Sequence, residues 1–552
     1  RQGIRPDRYV LINDEICEGC GDCYTSSEGC AALHSVDTEW GKKTQVRQAN
    51  CAQDELCVDG ECPAFVVAHD AQGHGLRRQI PEEIESLPDP PPCSAGSSYS
   101  ILAVGRGGTG VVTFSHLLAY AAMLEGKQVY LSNNTGLAQK GGPVEAPIVL
   151  SEDHQPAFNN LFPGQVDLYL GFDLLRAAEG GNLRFVDPET SRAAVSTAQI
   201  PTAEMNRNPR TIGFPEVDVL VEAIEANVRK GENVYIDTYW LAEALFSDIL
   251  YANMILLGAA YQAGMIPVKA ASLEWALDLN GKAVENNVRA FRWGRLAVAD
   301  PARVERVLGR QKPSDAERVA EAQEIASGHR SGTECMQQIL SVDWPQSVQT
   351  VVTRRFAELC EYQDIAYAEA YLQFVRQVWQ MERERGFHGE FTEVVAYQLF
   401  RLMAYKDEYE VARLATHDRT VGRIKDHFTG PVKLSYRLQP PALRWLFRKK
   451  VAFGSWFYWA LCALKRGKKL RGTPLDPFGY LSSRRLEREL IDWYRQLVEA
   501  ILPHLHADRY AECVELAQSA DEIRGYEEVK ERAARAVRTA AAGRLQRIHN
   551  AD

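Results

Sequence analysis

Seven of the twelve cysteines fall within the first 62 residues, and their spacing is that of sulfur ligands to iron. They read Cys17-x2-Cys20-x2-Cys23, then Cys30, then Cys51, Cys57 and Cys62-Pro63. Three thiolates at C-x2-C-x2-C on one tight loop, completed by a remote Cys-Pro, form the ligand pattern of a [4Fe–4S] cluster. Disulfide frameworks belong to small stapled domains in oxidising compartments, whereas this chain has 552 residues. Zinc usually takes two separate C-x2-4-C pairs rather than one C-x2-C-x2-C run. A two-cluster arrangement needs eight ligands, and here the second run is loosened to C-x5-C-x4-C-P. Because the Cys-Pro of a second run completes the cluster of the first, Cys17, Cys20, Cys23 and Cys62 are assigned to one cluster. Cys30, Cys51 and Cys57 are then one ligand short. Either they hold a second cluster with Cys93 or a non-cysteine group as the fourth ligand, or they are buried thiols.

These residues need elements to position them. At about 150 residues per domain the length predicts three or four domains. The composition, 45% hydrophobic and 25% charged, is that of an ordinary soluble protein. Sixty-three basic against seventy-three acidic residues leave ten net negative charges, which argues against general nucleic-acid binding. Oxygen-sensitive thiolates point to the cytoplasm. The sequence starts at Arg1, and the expectation is of the trailing part of a longer polypeptide.

The cysteine region, residues 1–70, opens on the strand-like Tyr9 to Ile12 and closes on Phe65 to Val67. Residues 71–99, rich in Pro, Ser and Gly, read as a linker. Residues 100–302 begin with the buried strand Ile101 to Val104, a glycine turn and a helical pattern, the entry of a Rossmann-like α/β unit. Further strands are expected at Val129–Leu131, Ile148–Leu150, Val166–Leu170, Arg192–Ser196 and Val234–Ile236, in a mostly parallel sheet. Residues 303–552 read as an all-α domain, with long amphipathic helices over Ser347–Arg385, Thr392–Leu414, Arg485–Leu505 and Glu527–Ala541. Within it, the apolar stretch Val451–Leu464 is too short to span a membrane and predicts a buried helix. The basic, aromatic stretch Arg444–Arg471 is either a solvated face or a surface that steers an acidic partner.

Gly105, Gly107 and Gly110 satisfy G-x-G-x-x-G between a strand and a helix, with Gly108 and Thr109 inside the turn. NAD would also need an acid about twenty residues on, to hold the ribose; the second strand instead runs into Ser132-Asn133-Asn134. The turn therefore suits another phosphate-bearing cofactor, through free N–H groups at a helix start, or is purely structural. The next motif, Thr135-Gly136-Leu137-Ala138-Gln139-Lys140-Gly141-Gly142, again follows a strand. Its glycines permit close backbone approach, and Lys140 either meets a phosphate or is simply exposed.

The glycine turn followed by TGLAQKGG, downstream of CEGCGDC and Gly60-x-Cys62-Pro63, resembles the indolepyruvate ferredoxin oxidoreductases, thiamine-dependent 2-oxoacid:ferredoxin oxidoreductases. The tail resembles that family at Asn286–Arg295, Leu402–Leu414, Leu470–Tyr480 and Asp521–Lys530. The resemblance implies a ferredoxin-like iron–sulfur domain, a gamma-type α/β domain and a helical C-terminal domain. It implies oxidative decarboxylation of an aryl 2-oxoacid, electron transfer through [4Fe–4S] to ferredoxin, and acyl transfer to coenzyme A. Gly105, Gly107, Gly108, Thr109, Gly110, Gln139, Lys140 and Gly141 would then face the cofactor. Thiamine diphosphate sites carry a GDG run, and none occurs here. Thiamine diphosphate and magnesium are therefore expected on a partner subunit or an upstream segment, in a hetero-oligomer. Two other readings compete with this one, an iron–sulfur adaptor without catalytic contribution and an NAD(P)-linked iron–sulfur reductase.

Overall fold

The computed structural model describes residues 7–550 except 39, 71, 74, 77–83, 85–86, 94–95, 137–140, 153–160, 208–211, 309–313 and 440–449. It divides into two compact units, one of residues 1–47, 51–75 and 312–552, the other of 48–50 and 76–311. In chain order the strands are β1 (Arg8–Ile12), β2 (Leu33–Thr38), β3 (Gly41–Val46), β4 (Phe65–His69), β5 (Ser98–Arg106), β6 (Gln128–Leu131), β7 (Asn134–Thr135) and β8 (Pro143–Ser151). They continue with β9 (Leu168–Gly171), β10 (Arg192–Ser196), β11 (Val234–Ile236), β12 (Lys433–Leu438) and β13 (Val451–Phe453).

The α/β unit is built on a sheet of order β11-β10-β9-β5-β8-β6, with β7 paired to β8. Ile101, Leu102, Ala103 and Val104 of β5 are all buried, the unbroken apolar run of a strand covered on both faces. Every strand expected in this region occurs. The expectation of a mostly parallel sheet holds for only one side of β5. β5, β9, β10 and β11 pair in parallel, whereas β8 runs antiparallel between β5 and β6. The chain returns from β6 to β8 through residues 132–142, too few for the crossover that parallel pairing demands. One consequence is that β6 lies two strand spacings, about 10 Å, from β5. The two helices Ala252–Gln262 and Val284–Ala299 cross through glycines: a Cβ on Gly258 would stand 1.9 Å from the Phe291 carbonyl oxygen.

In the other unit the cysteine-rich segment and the helical region share one sheet, of order β1-β4-β12-β13. Residues 303–552 are thus not all α. β12 pairs antiparallel with β4 and covers its edge, and its alternate residues Leu434 and Tyr436 are buried. The Val451–Leu464 stretch is split, forming β13 and the short helix Phe457–Leu464. No helix among the described residues is long and apolar enough to cross a membrane. Of the stretch Arg444–Arg471, residues 444–449 lie outside the described residues.

Two of the expected long helices, Ser347–Arg385 and Thr392–Leu414, are broken where an aspartate caps a new start, whereas Glu527–Ala541 lies within one helix, Glu527–Asn550. Asp364 accepts from the Tyr367 N–H and opens the helix Ile365–Glu384; Asp407 accepts from the Glu410 N–H and opens Glu408–Ala415. The start of the helix Glu390–Met403 is held differently. The fully buried Glu382 carboxylate accepts from the N–H groups of Gly389 (3.0 Å) and Thr392 (2.8 Å), from the Thr392 hydroxyl and from the Tyr510 hydroxyl (2.5 Å). Glu382→Gln, which turns an acceptor into a donor facing these donors, is expected to cost about 2–3 kcal/mol of stability. Exposed Glu384→Gln is expected to stay within about 0.5 kcal/mol. Urea denaturation of the two variants against the parent chain checks both.

Candidate functional site

Two places gather the residues that the sequence singles out, one in each unit. The cysteine loop leaves β1 at Asn13, whose carbonyl accepts from the Cys17 N–H at 2.9 Å. Gly19 and Gly21 take φ of 63° and 76°, turning the loop back on itself. At Gly19 only a hydrogen fits, because a Cβ would stand 2.1 Å from the Lys42 carbonyl oxygen. The N–H groups of Gly19 and Thr44 point at Cys17 Sγ, at 3.3 and 3.4 Å. Asp22 joins this loop to the remote Cys-Pro: its Oδ2 accepts from the Glu61 N–H at 3.1 Å, one residue before Cys62. A Cβ on Gly60 would lie 2.4 Å from that same oxygen, which is why the residue there is glycine.

The thiols fall into two electrostatic sets. Burial pushes Cys23 and Cys62 well above the usual thiol range, and Cys17 and Cys20 add to the rise in both. Burial pushes Cys20 up to about 11, with Cys17 adding. Cys57 is pushed up to about 12, by burial first and then by Cys30 and Cys51, and Cys51 is raised by burial and by Cys30. Cys17, Cys20 and Cys62 thus act on Cys23, and Cys30 and Cys51 on Cys57, while Cys57 also acts on Cys23 and links the two sets. No three His, Cys, Asp or Glu side chains among the described residues converge on a single metal-ion position. Cys93 lies in the α/β unit, beside Tyr99.

Two lysines that the sequence reading missed stand at the first set. Lys43 Nζ donates to the Cys17 carbonyl at 2.5 Å, and Lys450 Nζ to those of Cys62 (2.5 Å) and Val58 (2.8 Å). Burial, then Lys406, pushes Lys43 down to about 7; burial also lowers Lys450. The helical region clamps the loop further through Tyr526, whose hydroxyl donates to the Ile16 carbonyl (2.6 Å), and Arg524, which donates to that of Glu18 (3.1 Å).

The second place is the glycine turn between β5 and the helix Val111–Leu124, opening on a cleft of about 700 Å3. Its donors are fewer than the motif suggests. The Gly107 N–H donates to the Gly142 carbonyl (2.8 Å), and the Gly141 N–H returns to the Gly107 carbonyl (3.1 Å). The Thr109 N–H and hydroxyl both donate to the Arg106 carbonyl. Gly105 serves packing, since a Cβ there would meet Thr109 Oγ1 at 2.6 Å. Gly108, Gly110 and the first helical turn, Val111 to Thr113, line the cleft, and the helix start has no side-chain cap. Gln139 and Lys140 lie outside the described residues. Arg106 is locked below the turn by Asp173 at 2.9 Å and by the carbonyls of Ile200 and Pro201. Burial raises the Asp173 carboxyl above its usual range in spite of Arg106.

Gly108 and Gly110 both have left-handed φ, 99° and 88°, but only a methyl on Gly110 collides, at 2.3 Å from Asn253 Nδ2. Gly108→Ala is expected to cost about 1–2 kcal/mol. Gly110→Ala is expected to cost about 1–3 kcal/mol more through overpacking. Calorimetric unfolding of the two variants gives the order.

Comparison with known proteins places both halves. Residues 100–297 match the family Pyruvate ferredoxin/flavodoxin oxidoreductase, and residues 348–543 match DUF6537, a family of unknown function. The indolepyruvate oxidoreductase subunit IorB of Methanothermobacter thermautotrophicus is 29% identical over 208 residues, 37% of this chain and 99% of that protein. The 2-oxoglutarate synthase subunit KorC of Archaeoglobus fulgidus is 27% identical over 195 residues, 35% of this chain and 85% of that protein. Among solved structures, pyruvate oxidoreductase subunit PORC of Thermotoga maritima aligns with TM-score 0.26 and 20% identity, over 36% of this chain and 96% of its own. By the family match and these two sequence relatives, residues 100–297 are a domain of the pyruvate ferredoxin/flavodoxin oxidoreductase family.

Proposed function

We propose that this chain is the electron-output and cofactor-docking part of a 2-oxoacid:ferredoxin oxidoreductase acting on an aryl pyruvate such as indolepyruvate. What supports the reading is the C-x2-C-x2-C and Cys-Pro spacing of Cys17, Cys20, Cys23 and Cys62, with Cys17 and Cys20 acting on both Cys23 and Cys62, in a chain whose residues 100–297 match this family. That donor set suits a [4Fe–4S] cluster. Cys17, Cys20, Cys23 and Cys62 would be the residues that hold it. N–H donors on Cys17 Sγ and the ammonium groups of Lys43 and Lys450 offset the negative charge of such a group. The cluster would supply one-electron steps toward a ferredoxin; the protein's part is to bury the group and hold its ligands. Cys30, Cys51 and Cys57 remain a second set that lacks a fourth thiol.

In the α/β unit, the N–H groups at Gly108, Gly110 and the first helical turn suit the phosphates of coenzyme A as acyl acceptor. The cleft of about 700 Å3 is in the range of cofactor sites. Thiamine diphosphate and magnesium, which supply the decarboxylation chemistry, belong to a partner chain or to sequence outside this one, because no GDG run is present. That the relatives are named as subunits supports a hetero-oligomer.

In the assembled complex, Cys20→Ala is expected to abolish ferredoxin reduction; an unchanged rate with intact iron content would sink the ligand assignment. Gly108→Val, which fills the mouth of the turn, is expected to weaken coenzyme A binding at least tenfold in calorimetric titration of the complex. Equal affinity would favour an adaptor role in which the α/β unit only supports assembly.

A further inference from the structure

The basic, aromatic segment that follows Lys450 has no part in the two sites above. From residue 427 to residue 475 the sequence holds eleven Lys and Arg and no Asp or Glu, although the chain as a whole carries ten net negative charges. The helix Phe457–Leu464 runs directly into the 3₁₀ turn Lys465–Leu470, and one side of this rod is anchored. Leu461 is buried, and Gly467 lies so close to the Tyr409 ring that a Cβ would stand 2.5 Å from it. Lys468 Nζ donates to the Glu361 carbonyl, and Arg471 holds Asp407 at 2.6 Å. Asp476, behind the segment, accepts from the Tyr409 hydroxyl at 3.1 Å, and Asp418 lies near Tyr458.

The opposite side faces outward. Trp456, Trp459, Ala460, Ala463, Arg466 and Lys469 recur at helical spacing, and all six are exposed. The two indoles are 67% and 75% exposed, against the usual burial of tryptophan. Both are nonetheless held in place by other rings. Phe453 stacks on Phe457 at 4.1 Å, Trp456 stands edge-on to Phe457 at 5.4 Å, and Trp459 stands edge-on to Tyr458 at 5.6 Å. Pre-organised indoles of this kind anchor protein–protein interfaces, because little side-chain freedom is left to lose on binding. A helix that lies on a lipid surface puts its cations on the face opposite its aromatic residues. Here the indoles and the cations share one face, with only alanines between them, which fits a protein surface of apolar centre and acidic rim. The face also stands close to the first thiol set. Six residues separate Trp456 from Lys450, a reach of at most about 20 Å, and Lys450 donates to the Cys62 carbonyl.

We propose that this face docks a small acidic one-electron carrier protein, with Trp456 and Trp459 at the apolar centre of the contact and Arg466 and Lys469 meeting the carrier's carboxylates. The inference rests on the electron-output reading above and gives it an exit surface. Calorimetric titration of the full chain with an oxidised, acidic [4Fe–4S] ferredoxin tests it. Saturable one-to-one binding is expected, weakening at least tenfold as salt rises from about 0.01 to about 0.15 M and the Debye length falls from about 30 to about 8 Å. Trp459→Ala is expected to weaken binding at least tenfold at either salt. Arg466→Glu combined with Lys469→Glu is expected to weaken it at least tenfold at low salt and to flatten its salt dependence. Trp275→Ala, at an exposed indole of the α/β unit, is expected to keep the parental affinity. Absence of saturable binding, or parental affinity in both face variants, overturns the proposal. So does binding to vesicles of anionic phospholipid, or self-association of the chain, that Trp459→Ala abolishes while ferredoxin binding persists, since the face would then belong to a membrane or to a second copy. Reduction is read separately: ferredoxin that binds here and is not reduced by the assembled complex contradicts the electron-output reading and leaves the docking face standing.

Discussion

Thiols placed like those of the buried Cys17, Cys23 and Cys62 and the half-buried Cys20 cannot all ionise without compensating charge, and much of the unit that holds them bears on that constraint. Burial holds Cys23 and Cys62 above the usual thiol range, and Cys17 and Cys20 add to the rise in both. The compensation present in the protein is positive and local: N–H groups directed at Cys17 Sγ, and Lys43 and Lys450 on the carbonyls of the first and last thiols of the set. Lys43 is itself strained by burial, which pushes it down to about 7. An iron–sulfur cluster with four thiolate ligands, as proposed above, would be anionic overall and would favour the charged form of both lysines.

The constraint also explains why the helical region packs with the cysteines as one unit. Lys450, Arg524 and Tyr526 reach the loop from the far end of the sequence, and β12 covers the exposed edge of β4. A cysteine segment of this size has little core of its own. The helices supply burial, and with it the low dielectric that raises the thiols of Cys23 and Cys62.

In the α/β unit the governing feature is the antiparallel β8, wedged between β5 and β6. It uses the Gly141–Gly142 pair to bond Gly107, which fixes the glycine turn from below. It also moves the end of β6 away from the turn, so an acid at Ser132 to Asn134 would not stand where a dinucleotide ribose needs one. The G-x-G-x-x-G match thus keeps its helix-start chemistry and loses the geometry that goes with NAD.

Local features of this protein were legible in the sequence. Short strand-like runs anticipate every described strand of the α/β sheet except the exposed two-residue β7. Pairings between distant segments were not: nothing in KLSYRL says that it joins a strand more than three hundred and fifty residues earlier. The helix breaks at Asp364 and Asp407 were written as N-caps but masked by an unbroken amphipathic period. Lys43 and Lys450 stand more than four hundred residues apart in the sequence, so only the fold brings both to the cysteine loop. The central claim is the assignment of Cys62 to the Cys17–Cys23 loop. It is tested most directly by counting iron and acid-labile sulfide in the anaerobically reconstituted full chain and in its Cys62→Ala and Cys57→Ala variants. The account requires Cys62→Ala to lose one four-iron increment that Cys57→Ala retains; equal iron in the parent chain and Cys62→Ala would contradict it.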